Sequence, residues 1–409
     1  MNKPQAVNDF GDGKAIQESK AEGGIAQPKA KPATTGTLNR LPRQLDDSHM
    51  PADFSISWDS YKRGGTDKFL AQRPEHLKSQ PMRGFEEEYV NIIDYIVRIT
   101  HRIWEEGDIG YIYDTYSHDC NVWDADLGLG VGRDRVVAGT ARTLNAYPDI
   151  RILGDEVIWA GDENVGFHSS HRSYITGTNT GFSAFGAPTN RPVRFMCIAN
   201  CVMVENEIFY EHVMHNTASL IQQLGLNVFD VAREMVDKHG ETVLARDFGA
   251  SEPYRLPGQG KPALLPVPTA EKFDVRAFVI AFYQNVWNRR MLGSLPKFCS
   301  SSITYQGPTE RYYQGLGNYK SWILSLLAMF PDLTFSVEDL YWMGNDQSGY
   351  MVSARWSAQG THLGNGIYGQ PSGKEIQLMG ISQLKIQNGK ILQEWSIFNE
   401  LGVITQIVS

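Results

Sequence analysis

FMCIANCVMVENEIFYEHVMHNTASLIQQLG, residues 195–225, alternates apolar and polar side chains, breaks at Glu205-Asn206, alternates again, and ends in an apolar run before Gly225. Alternation on both sides of a two-residue turn signal is the pattern of a β-hairpin. The chain contains it twice. Residues 378–407, LMGISQLKIQNGKILQEWSIFNELGVITQI, carry the same pattern around Asn388-Gly389. Glu211 falls on Glu394, Asn216 on Asn399 and Gln223 on Gln406. The same register runs back without a gap to Trp104 and Trp287. It pairs Pro148-Asp149 with Pro331-Asp332, Trp159 with Trp342, Arg172 with Arg355 and Gly177-Thr178 with Gly360-Thr361. An internal repeat of this length makes the chain two copies of one domain.

The 409 residues accommodate two domains of roughly 140 residues and a tail, each copy large enough to bury its own core. A formal net charge of -8 with no basic block argues against a nucleic-acid or anionic-membrane surface. No apolar run approaches the length of a membrane span, and MNKPQAVNDFGDGK lacks the apolar segment of a secretory leader. Cys120, Cys197, Cys201 and Cys299 have neither disulfide-framework nor metal spacing, so they read as reduced thiols of a cytoplasmic protein.

Residues 1–50 are poor in large apolar side chains and read as a disordered or extended tail. Aromatics return in 51–83, read as an arm lying on a folded domain or on a neighbouring subunit. The first domain is 84–240, a Gly/Pro-rich linker follows at 241–270, and the second domain is 271–409. In the first repeat an apolar stripe from Tyr89 to Trp104 predicts a helix, Ile109–Tyr116 a short second one, and Gly132-Arg133-Asp134 the start of a third that Pro148 stops. Strands follow at 151–160, 164–176, 193–204 and 207–216, and a helix at 228–239. Three helices on one face of a curved antiparallel sheet make an α+β cone with a pocket at its mouth. Two such cones in one chain are expected to pack as a pseudo-dimer, and a further homodimer is open.

This order of elements resembles the nuclear-transport-factor-2-like superfamily, and within it the SnoaL-like polyketide cyclases and ester cyclases. The residues that carry the resemblance are Pro148-Asp149 and Pro331-Asp332, Arg355-Trp356 with Gly360-Thr361-His362 and Gly364, Gly389-Lys390-Ile391 with Glu394-Trp395, and Leu220 to Gly225. It implies a tandem pair of cone-shaped domains. In the cyclases an aspartate five residues after this glutamate serves as acid/base for an aldol closure. Here Asn216 and Asn399 stand at that position, and an amide exchanges no proton near neutral pH, although it can hold an oxyanion.

The histidines are unevenly shared. His118, His168, His171, His212 and His215 lie in the first repeat, where the second has Ser301, Met351, Ala354, Trp395 and Phe398. The first repeat is therefore the copy expected to act, and the second a degenerate partner. With Asn216 aimed inward as the resemblance implies, alternation places His212 and Met214 beside it. The expected acid/base set is His212 with His171 or His168, Asn216 holds an oxyanion, and Tyr174, Arg172, Met214, Trp123 and Tyr116 bind substrate. Arg172 also has a structural reading, pairing with an acid such as Glu211. A metal site on the His168/His171 and His212/His215 pairs is a rival reading, but residues three apart on a strand face opposite ways, and none is assigned. Gly128-x-Gly130-x-Gly132 lacks the strand-helix context of a nucleotide loop, so no cofactor is expected. The expected function is a cofactor-free lyase, isomerase or cyclase acting on a small organic substrate. The alternative is a non-catalytic binding or scaffold protein of the same fold.

Overall fold

The computed structural model describes residues 41–58, 65–124, 128–239, 263–269 and 273–409. Residues 1–40 of the tail expected over 1–50, residues 59–64 of the arm and most of the linker lie outside them.

Each repeat builds one six-stranded sheet, in the orders β2-β1-β6-β5-β4-β3 and β8-β7-β12-β11-β10-β9. In the first, β1 is Tyr116–Asp124, β2 Gly128–Val131, β3 Arg151–Asp162, β4 Gly166–Thr178, β5 Pro192–Val204 and β6 Glu207–His215. In the second, β7 is Cys299–Gln306, β8 Tyr312–Gln314, β9 Thr334–Asn345, β10 Gly349–Thr361, β11 Glu375–Gln387 and β12 Lys390–Phe398. The expected antiparallel sheet is corrected in one respect. β1 pairs β6, and β7 pairs β12, in parallel, so both sheets are mixed. A parallel partner needs a long crossover, and here it spans the four strands in between, which alternation within one strand does not reveal.

Helix α1 is Gly65–Leu70, α2 Ile92–Trp104, α3 Ile112–Thr115, α4 Arg133–Ala146, α5 Thr217–Gln223 and α6 Val228–His239. The second repeat adds α7 Val275–Phe282, continued by a π-helical turn over Tyr283–Asn288, α8 Leu295–Phe298, α9 Leu316–Met329 and α10 Glu400–Val408. The caps follow from sequence. Asn91 accepts from Asp94 N at 2.8 Å, and Asp274 from Ala277 N at 2.8 Å. Gly132 and Gly315 precede α4 and α9 at φ 83° and 84°, a left-handed conformation that a side chain would oppose.

Several identities between the repeats are latches. Asp149 accepts from Thr178 N and Oγ1 at 2.6 and 2.7 Å, and Asp332 from Thr361 N and Oγ1, both at 2.6 Å. Gln223 bonds both backbone groups of Arg194, at 2.7 and 2.9 Å, and Gln406 does the same to Gln377 at 2.8 and 2.9 Å. Each side chain ties a helix end to a strand, so the paired residues are kept for geometry.

The sheets pack on each other through their outer faces. Met196, Ile198 and Met214 of the first meet Met379, Ile381 and Ile397 of the second, all at most 3% exposed. The polar contacts around them obey the repeat. Gln383 Nε2 donates to Ser170 Oγ at 2.9 Å, and Asn200 Nδ2 to Ser353 Oγ at 3.2 Å. The tandem thus forms an intramolecular pseudo-dimer. The arm starts earlier than expected and spans both copies. Arg43 N donates to Val165 O at 2.8 Å and Gly344 N to Pro51 O at 2.9 Å, while Trp58 is buried against Gly154 and Phe69. Helix α6, assigned to the first domain, packs on the second: Val228, Val231 and Ala232 share a core with Val403 and Ile407.

Candidate active site

Strand register decides which side chains enter each cone. On β6, Glu211, Val213 and His215 face the helices. Their neighbours across β5 are Cys201, Ala199 and Cys197, and those across β4 are Ser169, His171 and Ser173. From the parallel side come Val122 beside Glu211 and Asp124 beside Val213. One concave surface therefore collects two histidines, two carboxylates and several small polar groups.

Two pairs stand out. Tyr116 Oη donates to Glu211 Oε2 at 2.9 Å. His215 Nδ1 lies 3.3 Å from Asp124 Oδ2, with 31% of the imidazole side chain exposed. Burial lowers the His215 pKa, but its contacts with Cys197 and with the Asp124 carboxylate outweigh this and hold it well above 6.5. Burial pushes Glu211 above the usual carboxylate range, against the pull of the Tyr116 hydrogen bond. His171, 7% exposed, is driven by burial down to about 4 and is neutral at physiological pH. The site thus pairs a proton-rich imidazole with a proton-poor one, the separation that acid/base work requires.

The second cone is filled where the first is not. Trp356 replaces Ser173 and is 3% exposed, with Nε1 donating to Ser382 Oγ at 3.0 Å. It lies so close over Gly380 that a Cβ there would come within 2.3 Å of the ring. Phe398 replaces His215, Ala354 replaces His171 and Gly307 replaces Asp124. Helix α9 buries Tyr319, Trp322, Ile323, Leu326 and Leu327. At the matching positions α4 has Val136, Gly139, Thr140, Thr143 and Leu144, of which only Thr140 is buried. Exchanging Trp for Ser and Trp for Gly removes the largest side chains, so the first cone is lined by smaller and more polar residues.

Of the nine expected site residues, Tyr116 and His171 enter this cone. Six of the others sit on the outer face of the sheet and Asn216 follows β6 at the cap of α5, and that expectation is corrected. His212 is stacked on Trp123 at 5.8 Å, and burial together with Arg355 holds it well below 6.5. His168 lies against Tyr341 of the second repeat, 5.8 Å between rings, and burial lowers its pKa. Arg172 pairs with Asp155 at 2.8 Å, not with Glu211, and reaches Gln383. Met214 is fully buried between the sheets, and Tyr174 bonds Gln306 at 3.1 Å. Asn216 is occupied as well: Oδ1 accepts from Thr309 N at 2.7 Å and Nδ2 donates to Glu310 Oε1 at 3.1 Å. The physical reason is one of phase. Both faces of β6 are covered, one by helices and one by the partner sheet, so alternation separates them without saying which is the cone. His118 is a surface residue with 81% of its side chain exposed, beside Asp119. The histidines of each proposed metal pair point to opposite sides of the sheet. Glu211, Asp124 and His215 were missed as a set. The signal was in the repeat: Met196 and Ile198 recur as Met379 and Ile381 on the outer face, as a shared interface demands.

Residues 277–407, within the second repeat, match the family model described as SnoaL-like polyketide cyclase. Both repeats build the expected α+β architecture, one six-stranded sheet with its helices, in the same strand order. No curated protein matches the chain. Similar solved structures include IdmH from Streptomyces antibioticus, at 19% identity over 32% of this chain and 96% of that one, with a TM-score of 0.28. A SnoaL-like polyketide cyclase from Agrobacterium tumefaciens has 18% identity over 34% of this chain and 99% of its own, with a TM-score of 0.27. TsrD from Streptomyces laurentii has 19% identity over 33% and 98%, with a TM-score of 0.29. Among the described residues no helix is long and apolar enough to cross a membrane.

Proposed function

We propose that the first cone is the active site of a cofactor-free lyase, isomerase or cyclase that moves protons on a small organic substrate, while the second cone is its structural partner. The observation that supports this is the exchange of fill for chemistry between two copies of one scaffold. Where the second repeat places Phe398, Ala354 and Trp356, the first places His215, His171 and Ser173. Core positions evolve toward packing, and three polar substitutions there would each cost stability without a function to retain them.

In this reading His215 is the proton donor and acceptor, partly exposed in the cone and oriented by Asp124. His171, uncharged, accepts a proton from the substrate, and Glu211, held by Tyr116, supports the positive charge on His215. The half-buried Trp104, Leu144, Phe185 and Val213 give the apolar wall that positions a carbon skeleton. Asn216 has no part in the chemistry.

The test is deuterium incorporation from D₂O into a panel of enolisable 1,3-dicarbonyl compounds, followed by NMR. Exchange above the uncatalysed rate should be present in the wild type and in His212→Gln, and lost in His215→Phe and His171→Ala. Retention of a panel compound without exchange would instead mark a non-catalytic binding protein. Equal exchange in all four proteins would overturn the assignment.

A further inference from the structure

A second cavity lies at the seam of the two repeats, away from either cone. It is a hollow of about 440 Å³, open to solvent and lined by Arg194, Ser219, Gln222, Gln223, Thr309 and Glu310. The first four come from β5 and α5 of the first repeat. The last two form the turn between β7 and β8 of the second, so the cavity exists only in the tandem. Asn216 bridges to that turn.

Two opposite charges face this space without meeting. The Arg194 guanidinium lies 3.8 Å from the centroid of the Tyr174 ring, stacked and not paired. Glu310 Oε1 accepts from Asn216 Nδ2 at 3.1 Å and from Ser219 Oγ at 3.4 Å. Among the described residues neither charge has an opposite charge within 4 Å, although they share a cavity. Thr309 and Glu310 hold φ of 56° and 53°, a left-handed conformation unusual for two successive residues with side chains. The repeat supplies a control. At the matching positions the sequence has Gln377 and Leu127 in place of Arg194 and Glu310. The latch formed by Gln223 and Gln406 is common to both copies, so the architecture needs the glutamine and not the charges.

We propose that this seam cavity binds a free α-amino acid, its carboxylate on the Arg194 guanidinium and its ammonium on Glu310, with Ser219, Thr309 and Gln222 around the side chain. A guanidinium held flat on a ring presents its fork to a carboxylate in the bidentate manner. A carboxylate with an unused oxygen is the natural acceptor for an ammonium. Exposed and unpaired, the two charges recognise a ligand carrying both signs and discriminate against one carrying a single sign. The proposal is independent of the chemistry assigned to the first cone.

The test is isothermal titration calorimetry of the full chain with L-alanine, L-serine and L-glutamine, and with propionate and isopropylamine as single-charge comparators. At least one amino acid should bind saturably, and both comparators at least tenfold more weakly. Arg194→Ala and Glu310→Gln should each weaken binding at least tenfold at an unchanged melting midpoint. Arg194→Lys, which keeps the charge and loses the fork, should fall between. Absence of binding by all three amino acids, equal binding of propionate, or affinity indifferent to the variants would overturn it.

Discussion

The guanidinium of Arg172 lies 3.8 Å from the centroid of the Trp395 indole while its Nη1 donates to Gln383 at 2.5 Å, so one buried arginine of the first repeat is held by two side chains of the second. The repeat maps this pair onto Arg355 and His212. The same position is therefore a cation-π platform on one side of the pseudo-dimer and a histidine on the other, which burial and the nearby arginine keep neutral. Two stacked sheets related by a pseudo-two-fold axis need matched contacts in duplicate, and a change in one partner alters the other's neighbourhood.

Arg172→Ala should therefore act as an interface variant. It strands Gln383 and Asp155 and removes the cation from Trp395. Denaturant unfolding should lose about 2–3 kcal/mol, with deuterium exchange per folded molecule unchanged. A loss below about 0.5 kcal/mol, the range of ordinary surface substitutions, would show that the arginine does not tie the repeats together.

Histidine titration by NMR separates the two faces without a substrate. His215 should remain protonated well above pH 6.5, and Asp124→Asn should lower its midpoint. A raised folded value means that the stability it contributes is complete below 6.5 and is lost as pH rises through the folded pKa. His171 should stay neutral down to about pH 4, so its contribution has the opposite sign and is lost as pH falls from 6.5 towards 4. Midpoints of 6.5 for both would remove the electrostatic basis of the assigned roles.

Much of the fold was written in the alternation and in the repeat itself. Helix α6 begins and ends at the expected Val228 and His239, and Gly132 and Pro148 bracket α4. The two turns lie where Glu205-Asn206 and Asn388-Gly389 place them, all four residues at positive φ. What remained hidden depends on long-range packing. Helices α5 and α10 read as apolar tails because they are short and buried nearly all round, which leaves no polar stripe. The cone face of β6 stayed ambiguous because Glu211 and Met214 are both covered, one beneath helices and one beneath a second sheet. Aligning the faces of the two repeats, and not single positions, would have resolved it: outer positions repeat their apolar residues, while inner ones diverge from Trp356 to Ser173.

That divergence can be reversed. Ser173→Trp with Cys197→Gly transplants the Trp356–Gly380 arrangement into the first cone. The filled cone should abolish deuterium exchange and raise stability by about 1 kcal/mol, as cavity-filling changes do. The converse variant, Trp356→Ala, should cost about 3–5 kcal/mol and leave exchange per folded molecule intact. A transplant that keeps full exchange would place the chemistry outside this cone.

Glu394 gives the last expectation, through the one glutamate both repeats keep. It is 5% exposed, and Tyr319 Oη donates to it at 2.6 Å. Burial, opposed by that hydrogen bond, raises its carboxyl from 4.5 to about 7. Between these values the folded state holds a proton that the unfolded state has released, so stability falls as pH rises through the window. Glu394→Gln mimics the protonated form at every pH. Wild type and variant should unfold alike near pH 4.5, and by pH 8 the variant should be the more stable by about 3 kcal/mol, at 1.36 kcal/mol per unit. Parallel stability curves for the two proteins would mean that Glu394 stays ionised inside the second cone, with the Tyr319 hydroxyl alone compensating its burial.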